Sequence, residues 1–164
     1  MNVLVACVGN IFQGDDAFGC EVARELSQRP QRPNVRVVDF GIRGLDLTYA
    51  LMDAPELTIL VDAMARGGSP GTLYTIEPDL TENGLKATGQ SMLDAHVMDP
   101  VNVLRAVKSL SGVYPPRVLL VACEPADLGG AEGRMGLTPQ VLNAIRPAAD
   151  IVESLIEKEQ QVSI

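Results

Sequence analysis

Short apolar runs alternate with segments of helical spacing along most of the chain. Val3-Leu4-Val5-Ala6-Cys7-Val8 is continuously apolar and rich in β-branched residues, the pattern of a strand buried on both faces. Beyond it Phe18, Val22 and Leu26 stand four apart, which predicts a helix running to about Ser27. The stretch Gln28-Arg29-Pro30-Gln31-Arg32-Pro33 stops that helix, because proline cannot continue it and restricts the residue before. Asn34 to Asp39 alternates and reads as a strand, and Leu45, Leu47 and Leu51 mark a short helix ending at Asp53-Ala54-Pro55. Leu57 to Ala63 is a second continuously apolar strand, broken only by Thr58 and Asp62. The turn cluster Gly67-Gly68-Ser69-Pro70-Gly71 feeds Thr72 to Ile76, whose alternation fits an antiparallel edge strand.

From Glu77 to Asp99 the chain is polar and without a strong period, and loops of that length inside a domain are usually functional or disordered. Val101, Leu104, Val107 and Leu110 then predict a helix, stopped by Gly112 and Pro115-Pro116. Arg117 to Cys123 is the last core strand, closed by Glu124-Pro125, and Gly129-Gly130-Ala131-Glu132-Gly133 reads as a flexible acidic loop. Thr138-Pro139 opens the final helix, with Thr as cap and Pro at the first position, where its missing N–H costs nothing. Its expected buried stripe is Val141, Leu142, Ile145, Ala149, Val152 and Ile156, and the polar tail from Glu157 is expected to fray. Strands alternating with helices predict an α/β fold: a single domain over residues 1–164, built as a three-layer helix–sheet–helix sandwich. Its five-stranded sheet is mostly parallel with one antiparallel strand.

Composition narrows the function classes. At 164 residues and 46% hydrophobic, the chain can bury one sizeable core. A net charge of −8 excludes a protein whose affinity comes from neutralising phosphates, so nucleic acid is not an expected partner. No apolar stretch approaches the roughly 20 residues of a membrane span, and the start lacks a signal-peptide pattern. A cytoplasmic protein without a membrane partner is expected, with a monomer favoured. Cys7, Cys20 and Cys123 are odd in number, lie in or beside apolar segments and show no CxxC spacing, so they read as buried thiols.

The candidate chemistry lies at the strand ends. Three strands lead into carboxylates at one sheet edge: Asp15 and Asp16 after the first, Asp39 after the second and Asp62 after the third. In an open parallel sheet the carboxyl ends of the strands are where ligands bind. Asp15 fits a cap for the first helix. A second carboxylate beside it is not needed for capping, and the repulsion is better tolerated where a cation offsets it, so Asp16 is the candidate ligand. Neither GxGxxG nor GxxxxGK[ST] is present, which removes a phosphate loop. Asp62 and His96, the only histidine, complete a mixed oxygen and nitrogen set suited to a divalent transition ion with open positions. Such an ion can polarise a carbonyl and acidify bound water, as amide hydrolysis requires. On spacing alone, His96 also reads as a solvated loop residue and Asp62 as an acid bonding local N–H groups. No GxSxG elbow supports a serine nucleophile.

Gly9-Asn10-Ile11, Asp15-Asp16-Ala17-Phe18-Gly19, Asp39-Phe40-Gly41-Ile42-Arg43-Gly44, Val61-Asp62-Ala63, Pro70-Gly71-Thr72, His96 and Gly136-Leu137-Thr138-Pro139 follow one another in an order that resembles the NiFe-hydrogenase maturation endopeptidases. The resemblance spans nearly the whole chain. It implies an endopeptidase that removes the C-terminal extension of a hydrogenase large-subunit precursor after nickel insertion. The implied metal contacts fall on Asp16, Asp62 and His96, with nickel supplied by the precursor and other divalent ions able to occupy the site in vitro. Asp39 is implied to stand near the cleft as a polarising acid; it also fits a cap for the short helix. Two departures stand out: the first-loop acid, often Glu in the family, is Asp16, and the family's Asp-Gly-Gly-Thr is Asp39-Phe40-Gly41-Ile42. The alternatives are a non-catalytic α/β module binding a small ligand and a peptidyl-tRNA hydrolase-like enzyme. The second would need a basic face that this composition does not offer.

Overall fold

The computed structural model describes residues 1–81, 84 and 99–162. Five strands, β1 (Val3–Val8), β2 (Val35–Gly41), β3 (Leu57–Ala63), β4 (Leu73–Ile76) and β5 (Val118–Cys123), form one sheet in the order β2-β1-β3-β5-β4. All neighbours are parallel except β4, which runs antiparallel to β5 and takes the edge, as its alternation predicts. The described helices are α1 (Phe18–Ser27), α2 (Gly44–Met52), α3 (Pro100–Ser111) and α4 (Pro139–Val162). The central strands are buried along their length, save Ala63 at the end of β3, because helices cover both faces of the sheet.

Strand alternation sorts the side chains into two cores. Val3, Val5, Cys7, Ile59, Val61, Leu119 and Val121 pack with Phe18, Val22 and Leu26 of α1 and Val141, Ala148, Val152 and Ile156 of α4. Leu4, Ala6, Val8, Leu60, Leu120 and Ala122 pack with Leu47 and Leu51 of α2 and Val101, Leu104 and Val107 of α3. Two residues expected on buried stripes face solvent instead. Leu142 lies one position from Val141 and so about 100° around the helix, outside the face that Val141, Ile145, Val152 and Ile156 turn to the sheet. Leu110 is exposed in the last turn of α3. The polar tail also departs from expectation: α4 stays helical to Val162. Arg32 pairs with Glu157 at 2.6 Å and Arg117 with Glu159 at 3.2 Å, tying that end to the body of the protein.

The helix after β1 sits unusually close to the sheet. A Cβ on Gly19 would lie 2.6 Å from the Val61 carbonyl oxygen and closer still to that of Val8. The first turns of α1 therefore rest on the carboxyl ends of β1 and β3 together. This contact needs a residue without a side chain, and Gly19 supplies it although its neighbours Phe18 and Cys20 are large enough to fill the core.

Gly19→Ala is expected to destabilise the protein by about 1–3 kcal/mol, the usual cost of forcing extra atoms into a packed interior. Urea unfolding of the two proteins measures it, and an unchanged midpoint would show that α1 does not need this approach.

Candidate functional site

The order β2-β1-β3 creates the site. From β1 the chain crosses to β2 on one side, and from β2 it returns past β1 to β3 on the other. The crevice at the carboxyl ends of β1 and β3 is thus the topological switch point of the sheet, where ligands bind in open α/β folds. Asp16 follows β1 and Asp62 is the penultimate residue of β3.

Asp16 stands in a single 3-10 turn, Gly14–Ala17, that runs directly into α1. Its Oδ2 accepts the Asn10 N–H at 2.9 Å, and its own N–H reaches the Gln13 carbonyl at 3.1 Å. Gly9 lets the strand end touch this turn, since a Cβ there would collide with the Asp16 carbonyl. Asp16 is 8% exposed and Asp62 5%. Burial, then the charge of Asp16, and more weakly the charge of Asp99 push the Asp62 carboxyl well above its ordinary range, against the opposing hydrogen bond from Ala63 N–H. Asp99 caps α3, accepting the Val101 N–H at 2.9 Å. Its charge at this site was not anticipated, although a residue before Pro100 at a helix start carries the cap signal.

Asp15 does something other than cap α1. It is fully buried, and its carboxylate turns away from its own helix toward loops more than a hundred residues along the chain. It accepts N–H groups from Ala126 (2.8 Å), Asp127 (3.0 Å) and Thr138 (2.7 Å), with the Thr138 hydroxyl donating at 2.9–3.0 Å. The glycine-rich stretch after β5, expected to be flexible, is pinned to the same turn. Arg134 N–H donates to the Phe12 carbonyl at 2.9 Å, and Gly14 N–H to that of Arg134 at 2.8 Å.

Asp39 lies apart from this pair. In β2 it continues the alternation of Val35 and Val37 and is level with Cys7, which places it on the α1 face, whereas Asp62 follows Leu60 on the α2–α3 face. Asp39 is exposed and its Oδ1 accepts the Gly41 N–H at 2.9 Å, so the cap for α2 that its position suggests is not made; α2 starts without a side-chain cap. It borders a groove of about 310 Å³ that also includes Ile11, Phe12, Cys20, Phe40 and Ile42. Within the Asp39-Phe40-Gly41-Ile42 segment, Phe40 is a core residue and Ile42 is exposed at this groove. Burial, followed by Asp39, pushes the Cys20 thiol up to about 12, and burial pushes Cys7 up as well. Both stay protonated at neutral pH, which leaves them inert as nucleophiles.

A further acid, Glu124, holds the loop after β3. Its buried carboxylate accepts N–H groups from Arg66 (2.8 Å) and Gly67 (3.2 Å) and the Tyr74 hydroxyl (3.0 Å). Burial opposes ionisation, but these donors together leave its carboxyl below the usual range. His96 lies outside the described residues. Among the described residues no group of three or more His, Cys, Asp or Glu side chains is arranged to hold a metal ion.

Fold and site together define a doubly wound α/β protein with an acidic pair buried at its switch point. A family model for the hydrogenase maturation proteases matches residues 20–155, and the chain belongs to that family. It is 33% identical over 154 residues to the hydrogenase expression/formation protein HoxM of Cupriavidus necator, covering 92% of this chain and 73% of that protein. It is 30% identical over 153 residues to the hydrogenase 2 maturation protease of Escherichia coli, covering 93% and 88%. The solved structure of the hydrogenase maturating endopeptidase HybD from Escherichia coli superimposes with a TM-score of 0.80 at 28% identity, over 97% of this chain and 94% of that one. The family match begins after Asp16.

The raised Asp62 carboxyl has a consequence for stability. Above the ordinary value of 3.8 the unfolded chain ionises this group while the folded protein still holds the proton. The folded state then binds more protons, so this residue's contribution falls as pH rises from 3.8 toward the raised folded value. Asp62→Asn removes that penalty. Its melting temperature is expected to exceed that of the parent at pH 7 and to converge on it near pH 4; thermal unfolding at the two pH values measures this, and a variant less stable at pH 7 than at pH 4 relative to the parent contradicts it.

Proposed function

We propose that the protein cleaves one peptide bond in a NiFe-hydrogenase large-subunit precursor, releasing its C-terminal extension after nickel has been inserted. Asp16, Asp62 and His96 contact the nickel, which arrives as part of the substrate. The observation that carries this reading is the burial of Asp62 beside Asp16 at the switch point. Two carboxylates so placed repel each other, and a divalent cation between them turns the repulsion into attraction. A carboxylate set with one imidazole suits nickel, and a site with few protein ligands leaves positions open for groups brought by the substrate. His96 precedes Asp99 by three residues in the sequence, and the charge of Asp99 acts on Asp62. The family relationship supports the reaction class and the precursor as substrate.

The compartment we propose is the cytoplasm. Three free, buried cysteines suit a reducing environment such as the cytoplasm, and no helix among the described residues is long and apolar enough to cross a membrane.

Purified enzyme mixed with nickel-loaded and nickel-free precursor is expected to process only the loaded form, and equal cleavage of both refutes metal recognition. His96→Ala and Asp16→Asn are each expected to lower cleavage by more than about 100-fold, since removing a direct contact exceeds the ~10–100-fold cost of disturbing an outer one. Gel analysis of the precursor reads the loss.

A further inference from the structure

We infer that Asp15, with Thr138 as its partner, is a positioning residue that fixes where the Asp16 carboxylate points. The inference rests on the proposed role of Asp16. Asp15 is fully buried, a state that a carboxylate reaches only when its oxygens are well supplied with donors. Here three backbone N–H groups and one hydroxyl converge on it, from Ala126, Asp127 and Thr138. Oδ1 takes the Thr138 N–H and Oδ2 those of Ala126 and Asp127, while the Thr138 hydroxyl sits between the two oxygens at 3.0 and 2.9 Å.

These donors lie on two segments, the loop after β5 and the residue that opens α4, so one side chain joins both to the turn carrying Asp16. The same turn is gripped through its backbone: the Asp15 N–H donates to the Asp127 carbonyl at 2.8 Å, and a Cβ on Gly14 would meet that oxygen at 2.5 Å. On the opposite side, Gly9 packs on the Asp16 carbonyl and Asn10 donates to its Oδ2. The turn thus has no room to slide, and the peptide unit between Asp15 and Asp16 is fixed from both ends. A cap for α1 would have needed none of this, and α1 starts without any side-chain cap.

The prediction distinguishes positioning from simple stabilisation. Full-length Asp15→Asn puts an amide where donors already point, Thr138→Val removes only the hydroxyl donor at nearly constant shape, and Thr138→Ser keeps it. All are compared well below their unfolding temperatures. The first readout is the amide resonance of Asn10, whose N–H bonds Asp16 and contacts neither substituted residue in the hydrogen-bond network. It is expected to shift in Asp15→Asn and Thr138→Val and to stay in place in Thr138→Ser. The second is cleavage of nickel-loaded precursor, expected to fall by about 10–100-fold in Asp15→Asn, toward the lower end in Thr138→Val, and to be restored in Thr138→Ser. Should Asp15→Asn fail to fold, Thr138→Val and Thr138→Ser decide the question alone. An unmoved Asn10 resonance in Thr138→Val, or unchanged cleavage accompanied only by a lower melting temperature, overturns the inference. If the parent protein cleaves no precursor while the Asn10 resonance shifts as expected, the functional reading fails and the positioning role stands.

Discussion

Asp62 is an ionisable group in the wrong place for an isolated protein. It is buried at the end of a central strand, beside a second buried acid, with its carboxyl held well above the ordinary range by burial and by that neighbour. Placing two carboxylates together away from water lowers stability unless something positive joins them. The fold accepts this penalty at the switch point between β1 and β3, where strand order reverses and a crevice opens. Architecture and electrostatics therefore select the same spot.

What surrounds the pair is rigid. Gly19 lets α1 rest on the ends of β1 and β3, Gly9 lets the β1 end touch the Asp16 turn, and Asp15 fastens that turn to the loop after β5 and to the start of α4. Glu124 does the corresponding work for the loop after β3, with three donors on one carboxylate. On the proposed function, a group that meets a metal ion carried by the precursor gains from being fixed beforehand, because ordering it on encounter would cost affinity. The acids of this edge thus fall into two kinds: those supplied with donors, which hold backbone, and Asp62, whose ionised form is left disfavoured.

Asp39 shows how far a shared edge falls short of a shared site. It ends a strand beside β1, as Asp62 does on the other side, yet pleating turns it to the α1 face, next to Cys20 and a partly apolar groove, while Asp62 faces α2 and α3. Near the ends of the two strands that flank β1 these carboxylates differ by one position in register, and one position is a change of face.

The alternation of strands and helices, the antiparallel edge strand, the buried thiols and the acids at strand ends were all legible in the residues. Each is a matter of local period or of composition: two for strands, 3.6 for helices, and continuous apolar runs where both faces are covered. The sequence order of motifs also carried the family relationship and marked Asp16, Asp62 and His96 as candidates. Tertiary structure alone decided the strand order that brings Asp16 to Asp62, the face that Asp39 takes, the solvent exposure of Leu142, and the partners of Asp15. The Asp15 carboxylate bonds a residue 123 positions away, and no periodicity reaches that far. Which backbone donors converge on a buried acid depends on how loops from distant strands meet at one edge of the sheet, and that is settled only when the helices close over it.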